Sequence, residues 1–414
     1  MSGPSEKRAR HLRQHEGEEQ RATNLELFFD LVFVFAITQL SHLLEVHLTP
    51  TGAAKTGFLL LVVWWGWTYT TWMTNFFDPD AITVRLVLIA SMLASLLMAI
   101  AIPEAFGERA LLFAAGYTGL QVIRNGFVLW ATDPRWAQHR TFEWVAIWSV
   151  AVGVLWIAGA LADDWARLGL WSLALAIDYA GPFARYWVPG RGRVSIEEWE
   201  VETAHFAERF QLFIIIALGE SVVVTGGTAS ALDTDPARLA AIAVAFLGTA
   251  AMWWLYFSYV AAVAQVRLDT TSHRGELARD GYTYLHVIMV AGIIVAAVGD
   301  EIVIAHPGAE LSTAQLIAVT AGPALYLLGH VAFRLRMTAT LSRKRLAGAV
   351  AIVVAGTTGL VLPALACATL ILAIMIGVIG WEIVSAHRRW PDGPPDHRAV
   401  RSALERSEED RQKA

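Results

Sequence analysis

Charge is scarce in this sequence. Only 17% of its 414 residues are Asp, Glu, Lys or Arg, against 56% hydrophobic, whereas soluble domains carry about 25% charged residues. Such a chain is poorly suited to a water-soluble fold. Cysteine is almost missing. The single Cys367 lies in an apolar run, which excludes an intramolecular disulfide and a cysteine-based metal site. Gly-rich phosphate loops, the zinc-protease HExxH and the GxSxG elbow are also absent, so the usual sequence marks of nucleotide, zinc-protease and serine-hydrolase chemistry are lacking. The short turn Asp78-Pro79-Asp80 is far too small for a catalytic domain. The expectation is a non-enzyme with no cofactor, no metal and no nucleic-acid partner. Residues 1–22 lack the apolar core of a cleavable signal, so the first apolar helix is expected to act as an uncleaved one.

What the sequence has in abundance is long apolar runs, with 17 Trp and 18 Phe whose rings suit bilayer interfaces and packed helices. A helix needs about 20 mostly apolar residues to cross a bilayer core of about 30 Å. Runs of that kind fall near 24–46, 56–76, 81–102, 109–131, 141–162 and 165–188. Six more fall near 204–227, 237–263, 280–304, 312–336, 346–361 and 363–386. They do not alternate as barrel strands do. The expected fold is an all-α integral membrane protein of about twelve transmembrane helices.

Basic residues supply the orientation. Odd-numbered loops hold only Lys55, Arg109, Arg167 and Arg238, and Arg85, Arg124 and Arg209 fall inside apolar segments. The other basic residues lie in the tails and even-numbered loops, which places both termini in the cytoplasm of a bacterial cell whose inner membrane holds the chain. Two related halves are expected. Glu26-Leu27-Phe28-Phe29 is echoed by Glu208-Arg209-Phe210-Gln211, and Trp64-Trp65-Gly66-Trp67 by Trp253-Trp254-Leu255-Tyr256. Six helices per half give both halves one orientation. The expected organisation is a cytoplasmic tail at 1–22, six-helix halves at 23–190 and 191–387, and a second cytoplasmic tail at 388–414 that touches anionic lipid headgroups.

Ionisable groups inside apolar helices are the candidates for function, because each costs about 2.5–3.5 kcal/mol to insert. Glu26 and Asp30, four residues apart, share a helix face. Asn24 is positioned to cap that helix, with Glu26 complementing its dipole. Asp30 lies about 10 Å past the helix start, and Arg124 is expected at the same depth from the fourth helix. Arg85 should sit slightly shallower and Asp178 slightly deeper. Glu26, Asp30, Arg85, Arg124 and Asp178 are therefore expected to form one polar cluster, in which one acid has no formal partner and is free to bind a proton or cation. A static ion-pair network is the competing reading.

In the second half, His205, Glu208 and Arg209 open the seventh helix, and His286 and His330 lie within later ones. They lack close-spaced ligand pairs, so hydrogen bonding or titration suits them better than metal binding. Glu220, beside Gly219, lies about 21 Å into the seventh helix. An acid beside a glycine at that depth is placed like a transporter's ion ligand, or else hydrogen-bonds a neighbouring helix. Asp300-Glu301 and Glu104, near external helix ends, are read as interfacial.

The run from Asn24 to Val34, with Glu26 and Asp30 set among Phe28, Phe29 and Phe33, resembles the hallmark of the bacterial low temperature requirement A protein family. Glu208-Arg209-Phe210 followed by Leu218-Gly219-Glu220-Ser221 is similar to that family's midpoint motif. The resemblance covers roughly residues 20 to 390. It implies a multi-pass inner-membrane protein, permease-like, linked to growth in the cold, and it singles out Glu26, Asp30, Glu208 and Glu220. The functional expectation is a transporter of an ion or small solute, proton-linked, with membrane lipid as its surroundings. An ion channel and a non-transporting sensor or structural protein are the alternatives. Substrate and oligomeric state are not legible.

Overall fold

The computed structural model describes residues 21–194, 201–233, 235–271 and 273–389. All but the last two residues of the expected N-terminal tail, and all but Arg388 and Arg389 of the C-terminal one, lie outside the described residues. The described residues are all-helical, with no β-strand among them.

The helices are α1 Asn24–Val46, α2 Pro50–Phe76, α3 Ile82–Ala101, α4 Ala110–Ala131, α5 Ala137–Leu161, α6 Asp164–Ala180 and α7 Thr203–Ala231. They continue with α8 Pro236–Thr270, α9 Arg274–Ala305, α10 Thr313–Thr338, α11 Arg343–Gly356 and α12 Ala364–Arg389. Two of them switch locally to π-helix, at Tyr256–Val260 in α8 and at Ala278–Leu285 in α9. Eight helices are long and apolar enough to cross a membrane: α1, α3, α5, α7, α8, α9, α10 and α12. Of the remaining four, α6 has 17 residues and α11 has 14, too short for the 30 Å core without help from neighbours.

Local chemistry explains several helix starts. Asp163 accepts from the Ala166 amide ahead of α6, and Asp235 accepts from Ala237 and Arg238 ahead of α8, where Pro236 fills the first position. Ser312 and Gln315 form a capping box at α10. The start of α1 differs from expectation. Thr23, not Asn24, is the cap: its hydroxyl accepts from the Glu26 amide at 3.3 Å, and Glu26 Oε2 accepts from the Thr23 amide at 2.9 Å. The reciprocal pair satisfies two amides that a helix start leaves bare.

The described residues form two compact units, one within 21–43 and 55–209 and one within 44–54 and 210–389. In the first, α3, α4, α5 and α6 pack in sequence order around a core of rings that includes Phe113, Tyr117, Trp156 and Trp171. In the second, α9 packs along α10, α10 along α11, and α12 along α8 and α11. The α9–α10 crossing is backbone to backbone. A Cβ on Gly292 would lie 2.6 Å from the Tyr326 nitrogen, so only glycine allows that approach.

Large apolar side chains face outward along the helices. Ile82, Leu86 and Leu93 of α3 and Val350, Val353 and Val354 of α11 are all more than half exposed. Runs of such residues are unfavourable against water and ordinary against lipid tails. Length, composition and this outward face together make the chain a membrane protein.

Candidate functional site

Among the described residues, the densest group of buried charge lies in the first unit, where α1 meets α2 and the first two turns of α7. Glu26 and Asp30 of α1 and His205 and Arg209 of α7 are all at most 1% exposed. Both pairs have i, i+4 spacing, so each helix presents two groups one turn apart on one face. Arg209 bridges both acids. Its Nη1 lies 2.9 Å from Glu26 Oε1, and its Nη2 lies 2.5 Å from Asp30 Oδ1. The spread of the guanidinium matches the rise of one helical turn between the two carboxylates, a reach that a lysine ammonium lacks.

Neighbours fix the remaining atoms. Trp67 of α2 donates its indole N–H to Asp30 Oδ1 at 2.7 Å. Arg209 also reaches Thr74 Oγ1 at 3.4 Å. His205 Nε2 lies 2.9 Å from Glu26 Oε1, and its Nδ1 lies 3.2 Å from Asn75 Nδ2. The backbone settles the tautomer. The Glu202 amide donates to Asn75 Oδ1, and Asn75 Nδ2 donates to the Glu202 carbonyl, both at 2.9 Å. Asn75 must therefore offer an N–H to His205 Nδ1, which leaves the ring proton on Nε2, directed at Glu26. In that form His205 is neutral. Among the described residues, two carboxylates then share this one guanidinium. Three of the four carboxylate oxygens have hydrogen-bond donors. The fourth, Asp30 Oδ2, is buried with no hydrogen-bond partner among the described residues.

The structure redistributes the expected five-residue cluster. Glu26 and Asp30 belong to the site, but the arginine joined to Asp30 is Arg209, where Arg124 was expected. Matching helix depth selects a level in the bilayer and says nothing of which helix stands alongside. Arg124, 3% exposed, lies with its guanidinium 5.0 Å from the Tyr69 ring. Asp178 accepts from the Tyr117 hydroxyl at 2.7 Å. Arg85 pairs with exposed Asp80 at 3.3 Å near the start of α3 and takes no part in the buried site. Glu208, the residue before Arg209 in α7, accepts the Ala22 amide at 2.8 Å and ties down the segment before α1.

The other candidates belong to the second unit. Glu220 is 1% exposed within α7. His286 receives the Tyr256 hydroxyl at Nε2, 2.9 Å away, with Nδ1 3.2 Å from the Gly281 carbonyl. The Tyr282 ring stacks on it at 4.8 Å. His330 is fully buried with its ring edge-on to Tyr326 at 4.6 Å, and neither ring nitrogen has a partner among the described residues. Both histidines sit in aromatic packing.

Sequence reasoning missed Thr23, Trp67 and Asn75 as site residues, although Thr23-x-x-Glu26 is a readable capping signature and Asn75 is a polar residue in the last turn of an aromatic-rich helix. It also missed Arg345, counted among the loop arginines. Arg345 is 2% exposed and holds Glu382 through two contacts of 2.8 and 2.9 Å, while donating to the Leu255 carbonyl at 2.8 Å. That carbonyl stands where α8 changes from α to π geometry, a change that displaces the usual donor.

Comparison with known proteins adds context to this geometry. The family model described as "Bacterial low temperature requirement A protein (LtrA)" matches residues 21–380, a span that contains every residue of the buried site. A protein of Rhizobium meliloti (strain 1021), "Uncharacterized protein RA0937", is 39% identical over 323 residues, covering 77% of this chain and 78% of that one. No solved structure matches the chain.

Proposed function

The chain belongs to the bacterial low temperature requirement A protein family, and from that premise we propose that it is a proton- or cation-linked transporter of a small solute or ion. Its coupling site is the group Glu26, Asp30, His205 and Arg209. The carrying observation is Asp30 Oδ2, a buried carboxylate oxygen with no hydrogen-bond partner among the described residues, in a group where two carboxylates meet one guanidinium. A carboxylate oxygen without a donor away from water is costly, and a bound proton or monovalent cation satisfies it. Asp30 Oδ2 is the position left for that occupant. Binding and release there would shift the strength of the Arg209 bridge between α1 and α7, which gives a transport cycle its conformational lever.

In this reading all twelve helices are spans, arranged as two related six-helix halves in the bacterial cytoplasmic membrane with both termini inside. Short helices such as α6 and α11 would be accommodated by packing against longer neighbours. An ion channel would use the same charges and differ in conducting without saturation.

A second reading is a non-transporting membrane protein that senses or structures the bilayer. It is favoured by how fully the acids are already bonded, since Glu26 serves Thr23, His205 and Arg209 at once. Proton and alkali-cation flux in proteoliposomes separates the two. Transport predicts wild-type flux that Asp30→Asn abolishes in a protein that still folds. Absence of wild-type flux under every imposed gradient would discard the ion-coupled reading in favour of the second.

A further inference from the structure

The second unit holds a cavity of about 40 Å³ between α8, α9, α10 and α12, lined by Gly248, Met252, Asp300, Val319, Pro323 and Met375 among others. Room for a water takes roughly 10–15 Å³ on the same measure, so the space admits a molecule of a few heavy atoms. Its lining is apolar with one exception, the carboxylate of Asp300. Among the described residues Asp300 has no hydrogen-bond or ion-pair partner, unlike the acids of the site above. Val319 is also among the lining residues. Pro323 lies inside α10 and has no N–H, so the carbonyl of Val319, four residues earlier, loses its normal helical donor. Gly299 brings α9 against this turn, since a Cβ there would lie 2.9 Å from the Val319 Cα.

The polar lining thus offers acceptors only, and the rest is hydrocarbon and thioether. A bare metal cation requires a shell of several oxygens that these walls do not supply. A primary ammonium has three N–H donors for the carboxylate and carbonyl, and its alkyl part suits the Val and Met walls. We propose that this cavity is a binding site for a short primary alkylammonium ion, with Asp300 as its counter-ion. The site shares no residue with the Glu26–Asp30–Arg209 group and does not depend on the coupling role proposed for it.

The test is equilibrium binding of radiolabelled methylammonium to the purified full-length protein in lipid nanodiscs. Saturable binding is expected in the wild type, weakened at least tenfold by Asp300→Asn. Gly248→Leu keeps the carboxylate but fills the cavity, and the space around Gly248 is open enough to take a side chain; it should abolish binding as well. Both variants are to be checked for unchanged size-exclusion behaviour. Ethylammonium should compete, whereas tetramethylammonium, which has no N–H, and sodium should not. No saturable wild-type binding, binding indifferent to Asp300→Asn or Gly248→Leu, or equal competition by sodium would each overturn the proposal. Because the readout is binding, failure here leaves the flux result for Asp30→Asn unaffected.

Discussion

Asn75 donates its side-chain amide to Nδ1 of His205 at 3.2 Å, and through that contact decides which ring nitrogen holds the proton. Asn75 is itself oriented by two bonds to the backbone of Glu202, at the entrance to α7. Replacing it with leucine removes all three. Nitrogen NMR of selectively labelled histidine should show His205 as the single Nε2–H tautomer in the wild type and as a mixture in Asn75→Leu. The loss should also cost about 1–3 kcal/mol, because the Glu202 amide loses the acceptor that Asn75 provides.

Among the described residues, Arg209 is the one cation bonded to two buried acids. Arg209→Met should destabilise the protein by about 3–5 kcal/mol, the range for breaking a buried ion pair. Arg209→Lys should recover only part of this, since one ammonium does not reproduce two N–H contacts directed at carboxylates a helical turn apart. Thermal unfolding in detergent, read by tryptophan fluorescence, checks the ranking of wild type over lysine over methionine. Equal stability of the lysine variant and the wild type would show that the fork geometry does not matter.

The helices were legible in the sequence because apolar runs of bilayer length separated by polar turns admit few other structures. Glu26 and Asp30 were legible for a related reason, as acids stand out in an aromatic run. Their partners were harder to read. Hydropathy gives depth along a helix axis but neither its rotation nor its neighbour, so Arg124 was as good a match for Asp30 as Arg209. What decided between them was the packing of α7 against α1, a contact between residues 179 positions apart. Arg345 was hidden by the opposite problem, since a basic residue at a helix end reads as a loop charge until its burial is seen.

Thr23 offers a finer test of local structure. Thr23→Ala should destabilise the start of α1 by about 1 kcal/mol, while Thr23→Ser should be close to neutral because it keeps the capping hydroxyl. Hydrogen exchange at the amides of the first turn of α1 is the measurement. Faster exchange confined to that turn in the alanine variant is the expected outcome, and unchanged exchange would remove Thr23 as the cap.

The pair Arg345–Glu382 makes a prediction for the second unit. Glu382→Ala leaves the buried guanidinium without its carboxylate and should cost about 3 kcal/mol. The double variant Arg345→Met with Glu382→Leu should be more stable than Glu382→Ala alone, because no buried charge is stranded. Unfolding midpoints of the single and double variants decide this, and additive losses would show that the two residues act independently.

Glu26 closes the capping box of α1 with one oxygen and meets His205 and Arg209 with the other. The residue that starts the helix is therefore also a member of the charge group. Whatever neutralises that carboxylate loosens the first turn of α1 and its hold on α7 in the same event, so the helix end acts as a readout of what the site contains.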